Sequence, residues 1–280
     1  MHQRIIVAII AGAAFLFLCM QSFWIALIFL ALLHAQCQYE FISLAGNVRP
    51  VQASAHIALT TLVWVILSLG LVKLAPATLI PVALLMAVLV YAVAAVRKYE
   101  RGGDPAPYWV MARSIIFVAL PFAFIPAIVA WPGSFPYFIL LIGASWGADT
   151  GAFFVGKLAG RTVLSPRVSP KKTVEGLIGG VFAAGAVWAV AGVIPLYQAS
   201  EPILGFLPQA TPQYAVLAVL FTLGCAVALL GAYGDLVFSM FKRQAGIKDY
   251  GSLLPGHGGL LDRFDSMLFI TPLIYLICIA

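Results

Sequence analysis

The residues best suited to chemistry crowd into one stretch near the C-terminus. Positions 239–265 read SMFKRQAGIKDYGSLLPGHGGLLDRFD. Only 9% of the 280 residues are charged, yet this stretch holds Lys242, Arg243, Lys248, Asp249, Asp262, Arg263 and Asp265. It also holds a turn-forming run, Pro255–Gly259, with His257 between glycines. Asp262 and Asp265 stand three apart at an expected helix start and so share a face. Carboxylates with few thiols and few imidazoles suit a hard, oxygen-seeking cation. Mg²⁺, held by one or two carboxylates and by substrate phosphates, fits that set. His257 could shape the loop, bond a phosphate or enter the chemistry directly.

Two further carboxylates, Asp149 and Asp235, fall inside apolar spans. They precede the basic edges at Lys157 and Lys242 by eight and seven residues. At 1.5 Å per residue both lie about 10–12 Å in from the same side. A carboxylate in hydrocarbon costs ~3 kcal/mol or more unless paired or solvated. Matched depth on two helices predicts a shared, water-accessible pocket; two separate ion pairs are the plainer alternative. Each carboxylate sits among small residues, Trp146–Ala152 and Gly231–Asp235. Such residues admit either a close helix or a ligand.

The connection 157–175 reads KLAGRTVLSPRVSPKKTVE. Ser169-Pro170 resembles an N-cap and first helical position. That places Lys171 and Lys172 at a helix start, where dipole and free N–H groups favour phosphate. Topogenic charge or attraction to anionic headgroups would also account for these cations.

The scaffold that positions these residues follows from composition. Sixty-three per cent of the chain is hydrophobic, whereas soluble domains carry about 25% charged residues. Long, continuous apolar runs exclude an outer-membrane barrel and predict an all-α, polytopic integral membrane protein. At about 20 residues per crossing, nine transmembrane helices are expected, at 4–20, 23–45, 55–74, 78–97, 110–131, 135–157, 174–195, 213–241 and 264–280. Residues 1–131 form the N-terminal scaffold, and 132–280 the catalytic region with its polar pocket. With this division every Lys and Arg except Lys73 falls on one side. The positive-inside rule makes that side cytoplasmic, with the N-terminus and the pocket facing it and the C-terminus outward. The four cysteines show no metal-ligand spacing and read as inert thiols. No Walker A, kinase or Rossmann pattern is present.

Carboxylates, a hard cation, clustered Lys and Arg and an intramembrane pocket point to phosphoryl or nucleotidyl transfer to a lipid, reactions that rest on charge neutralisation and in-line positioning. A cation path through the buried carboxylates would leave the basic clusters and the glycine turn without a task.

The 239–265 stretch resembles the signature of phosphatidate cytidylyltransferases, or CDP-diacylglycerol synthases. The fixed positions present are Ser239, Lys242, Arg243, Lys248, Asp249, Pro255, His257, Gly258, Gly259, Asp262, Arg263 and Asp265. Asp149–Ala152, Ser169–Thr173 with Glu175-Gly176, and Gly234–Leu236 are family-like as well. Val174 and Phe238 depart from residues often found there. The resemblance covers roughly residues 140–265. It implies that CTP and phosphatidate give CDP-diacylglycerol and diphosphate, with Mg²⁺, a possible second cation, and a homodimer in a bacterial inner membrane. No nucleic-acid partner is expected. Carried onto this chain, Asp235 and Asp262 would hold metal, with Asp149 and Asp265 as further candidates. Lys171, Lys172, Lys242, Arg243, Lys248 and Arg263 would bind the triphosphate and lipid phosphate, Lys242 and Arg263 closest to the chemistry. Ser239, His257, Gly258 and Gly259 would complete the substrate site.

Overall fold

The computed structural model describes residues 2–46, 48–74, 79–130, 135–198, 211–254, 256 and 258–279. It is predominantly helical. Among the described residues, six helical runs are long and apolar enough to cross a membrane: Phe23–Ala45, Pro50–Val72, Ala106–Ala130, Pro136–Ala159, Val174–Ala191 and Gln213–Gln244. Helices also occupy the other three expected positions, as α1 (His2–Cys19), α4 (Leu79–Glu100) and α11 (Leu261–Ile279). Large apolar side chains such as Trp24, Leu32, Leu62, Phe154 and Phe182 point outward, as a hydrocarbon solvent allows.

The chain divides into two compact units, Met1–Ala130 with Gln244–Phe264, and Trp131–Arg243 with Asp265–Ala280. Unit 1 contains α1, α2 (Phe23–Ile42), α3 (Pro50–Leu69), α4, α5 (Ala106–Ser114) and α6 (Leu120–Ala130). A π-helical turn, Ile115–Ala119, joins α5 to α6. Aromatic rings knit its core: Trp64 meets Phe122 at 6.0 Å between centroids, and Phe264 meets Phe122 at 5.5 Å and Phe15 at 5.4 Å. Two buried histidines there find partners on neighbouring helices. His34 Nδ1 lies 3.2 Å from Thr61 Oγ1, and His56 Nε2 lies 2.8 Å from Ser114 Oγ. Unpaired, each would cost a few kcal/mol (~1–3).

Unit 2 contains α7 (Phe135–Ile142), a π-helical turn Gly143–Gly147, α8 (Ala148–Ala159), α9 (Val174–Gln198), α10 (Gln213–Gln244, to Arg243) and α11 from Asp265 onward. Buried Trp188 on α9 donates its indole N–H to the Leu140 carbonyl at 2.9 Å. The closest packing is between α8 and α9. Cβ atoms added at Gly151 and Gly180 would stand 2.4 Å from Ala183 Cβ and 2.6 Å from the Ala148 carbonyl. The two backbones come this close because glycines on each helix leave room for the other.

Two expectations are corrected. The fold is not wholly helical: β1 (Val163–Ser165) pairs antiparallel with β2 (Ser169–Thr173). Ser169-Pro170 therefore lies in a strand, not at a helix start. The helix begins at Val174, and Thr173 caps it by accepting the Gly176 N–H at 3.1 Å. Pairing with Val163–Ser165 uses the backbone of 169–173, so capping passes to the next hydroxyl. Residues 131–134, between the fifth and sixth expected spans, and most of the 198–212 connection lie outside the described residues.

Candidate active site

The cavity of unit 2, about 450 Å³, is lined by α8, β2, α9, α10 and the first turns of α11. Asp149 on α8 and Lys171 and Lys172 on β2 border it. The small residues Gly156, Gly176, Gly180 and Gly231 keep its walls free of bulk. Ser145 and Ser266 bond across it at 2.8 Å between hydroxyls.

Lys172 pairs with Asp235 of α10 through Oδ2. Ser239, one turn later, donates to the other oxygen, Oδ1, at 3.2 Å. Lys172 is thus held by tertiary pairing rather than by a helix N-terminus. Asp265 is buried in the first turns of α11 and accepts the N–H of Ser266 at 2.7 Å. The charges of Asp235, Lys242 and Asp149 all bear on it. Lys242 is buried and Arg243 exposed, with Arg243 Nε donating to the Val168 carbonyl at 3.3 Å. That bond ties the end of α10 to the β1–β2 turn.

The glycines beside the carboxylates serve packing. A Cβ on Gly234 would stand 2.6 Å from Phe269, and one on Gly231 would stand 3.3 Å from Ile270. Glu175 secures the loop ahead of the hairpin, accepting the N–H groups of Arg161 and Thr162 at 3.0–3.2 Å.

The oxygen-only donor set of unit 2 suits a hard cation. Among the described residues, no three His, Cys, Asp or Glu side chains stand close enough to hold a metal by themselves. A cation here would complete its shell with water and substrate oxygens, as Mg²⁺ does.

The signature loop belongs to unit 1. Asp262 is buried, and its Oδ2 accepts the N–H groups of Tyr250 and Gly259, each at 2.9 Å. The N–H of Gly259 is thereby engaged within the loop. Gly258 has φ of 83°, a conformation that favours glycine, and a Cβ there would stand 2.9 Å from Asp262 Oδ2. Tyr250 stacks on Phe41 of α2 at 6.1 Å between centroids. Lys248, Asp249 and Arg263 are exposed around this loop. His257 and Pro255 lie outside the described residues.

One organising residue was not assigned from the sequence. Glu40 of α2 is buried and accepts the N–H groups of Leu260 and Leu261 at 3.0 and 2.8 Å. Gln36 donates to it at 2.9 Å. These bonds satisfy donors at the start of α11 that the helix itself cannot use. A carboxylate inside an apolar span was the available signal, the same one that picked out Asp149 and Asp235.

A family model described as the cytidylyltransferase family matches residues 2–280. A protein of Synechocystis sp. named phosphatidate cytidylyltransferase is 39% identical over 185 residues, 62% of this chain and 57% of the relative. Proteins of the same name from Staphylococcus aureus (strain COL) and Bacillus subtilis (strain 168) are 42% identical over 134 residues and 41% over 133. Those matches cover 48% and 46% of this chain, and 45% and 42% of the relatives. The chain spans about half the length of the curated relatives it matches.

Proposed function

The chain belongs to the cytidylyltransferase family, and from that premise we propose that it is a phosphatidate cytidylyltransferase. A phosphate oxygen of phosphatidate attacks the α-phosphorus of CTP. The new O–P bond gives CDP-diacylglycerol, and the bond to the β-phosphate breaks to release diphosphate. With a second pKa of ~6 for a phosphate monoester, the attacking oxygen is largely ionised at neutral pH. The reaction then needs positioning and charge neutralisation rather than a strong base.

The observation that carries this reading is the cavity of unit 2, bordered by Asp149, Lys171 and Lys172, with Lys172 paired to Asp235. Lys171, Lys172, Lys242 and Arg243 would hold phosphate groups and accept the charge that moves onto the leaving diphosphate. Ser239 fixes the Asp235 carboxylate. Asp235, with Asp265 and Asp149, would hold Mg²⁺, which when bound supplies charge neutralisation along the polyphosphate; the family resemblance proposes Asp262 as a metal ligand as well. In the signature loop, Lys248, Arg263, His257 and the Gly258 backbone would bind a phosphate group.

Helical runs at the nine expected positions, among the described residues, support nine crossings. The one-sided distribution of Lys and Arg supports a cytoplasmic N-terminus and a site open to the cytoplasm in a bacterial inner membrane. A homodimer is proposed from the family resemblance.

The direct test is incubation of purified protein with CTP, phosphatidate and Mg²⁺, with diphosphate and lipid product both measured. Equal amounts of diphosphate and CDP-diacylglycerol are expected. A phosphorylated prenol as the only product, or no diphosphate, would replace this reading.

A further inference from the structure

Unit 1 holds a second concavity, about 930 Å³, that the proposed reaction does not use. Three segments converge on it: the start of α3, the C-terminal half of α4 and the α4–α5 connection. Arg49 comes from the first, Arg97 and Lys98 from the second and Arg101 from the third. All four are exposed, and none is in an ion pair among the described residues. Asp104 is the one carboxylate in the lining. Its Oδ1 already accepts the Ala106 N–H at the start of α5, at 2.9 Å. α3 adds a long helix N-terminus at the same place: Arg49 occupies its N-cap position with no side-chain cap, and Gln52 lines the concavity.

The opposite end of the concavity is aliphatic. Leu89, Val90 and Val93 line it, and they are 51%, 61% and 44% exposed. Leu89, Val93 and Arg97 recur every four residues and so share one face of α4. At 1.5 Å per residue, Leu89 to Arg97 spans ~12 Å. A headgroup layer is ~6 Å deep and hydrocarbon begins beneath it. The surface therefore changes from cationic to aliphatic over the distance that separates a lipid phosphate from the upper part of its acyl chain.

We propose that this concavity is a binding site for an anionic glycerophospholipid, its phosphate on Arg49, Arg97, Lys98 and Arg101 and an acyl chain along Leu89, Val90 and Val93. A site for a soluble phosphate would have no use for the aliphatic stripe. Cations serving topology alone need not converge from three segments onto one hollow.

The test uses full-length protein in detergent, titrated with phosphatidylglycerol or phosphatidylcholine, with retained lipid counted by native mass spectrometry. Wild type is expected to retain one phosphatidylglycerol that phosphatidylcholine does not replace. Each cation is worth about fivefold in affinity, so Arg97→Gln/Arg101→Gln should weaken retention about 25-fold. If that double variant does not elute as folded protein, Arg49→Gln and Lys98→Gln, on separate segments, should each weaken it about fivefold. Val93→Trp keeps the charges but obstructs the stripe and should also lower retention. Equal retention of the two lipids, or wild-type retention by the charge variants, would overturn the proposal. Full displacement of the lipid by equimolar inorganic diphosphate would overturn it too, by assigning the hollow to a soluble anion.

Discussion

The carboxylate of Glu40 accepts the N–H of Leu261 at 2.8 Å, joining α2 to the first residue of α11 across 221 positions of sequence. The same side chain holds Leu260. Removing it strands two donors, at about 1–3 kcal/mol each. Glu40→Ala should lower the melting temperature and speed amide exchange at Tyr250 and Gly259–Leu261, while α9 exchanges as before. Glu40→Gln, which keeps one acceptor oxygen, should fall between. Unchanged exchange at Leu260 and Leu261 in the alanine variant would show that the bond does not hold the loop.

Asp235 is bound on both oxygens, by Lys172 and Ser239. Asp235→Asn keeps the size but loses the charge. It should reduce kcat by roughly 100- to 1,000-fold, while the protein still inserts and elutes as wild type. Asp262→Asn is expected to be as severe. Ser239→Ala removes one hydrogen bond, ~1–2 kcal/mol, and should cost about tenfold. Wild-type rates in Asp235→Asn would remove its proposed role.

EDTA should stop turnover, and Mg²⁺ should restore it. Asp265→Asn should raise the Mg²⁺ concentration needed for half-maximal rate more than it lowers the limiting rate. Activity that ignores the chelator would dismiss the cation from the mechanism.

Gly259 has no room for a side chain. A Cβ there would stand 2.5 Å from Glu40 Oε2 and 2.7 Å from the Gly251 nitrogen. Gly259→Ala should destabilise unit 1 by about 1–3 kcal/mol and depress turnover. Gly246 also lies in this connection, with φ of 71° and nothing within 4 Å of its Cβ position. Gly246→Ala carries only the backbone cost, about 1–2 kcal/mol, and should keep most activity. Equal effects on turnover would show that the crowding at Gly259 is unimportant. Thermal melts and initial rates of both variants decide it.

Much of this architecture could be read from apolar runs and basic edges, because hydrocarbon demands helices with satisfied backbones. Asp149 and Asp235 were visible for the same reason, as charges in places where charge is costly. The hairpin was not visible. Ser169-Pro170 satisfies the local rules of a helix start, and only pairing with Val163–Ser165 overrides them. Lys172 was selected for the wrong reason: its position comes from Asp235, 63 residues away. Glu40 stands out as a carboxylate in an apolar span, but its role does not, because its partners are backbone N–H groups. The glycines near Asp149 and Asp235 suit packing or ligand approach, and the adjoining carboxylates favour a site, whereas neighbours such as Ala183 and Phe269 show the packing.

The glycine seam between α8 and α9 has a mechanical consequence. With backbones in direct contact, these two helices should behave as one slab, without the play that longer side chains allow. Asp149 rides on one helix, and Thr173 caps the start of the other. Their separation should hardly vary with temperature. Any breathing of this chamber then falls to the α10 wall, which carries Asp235.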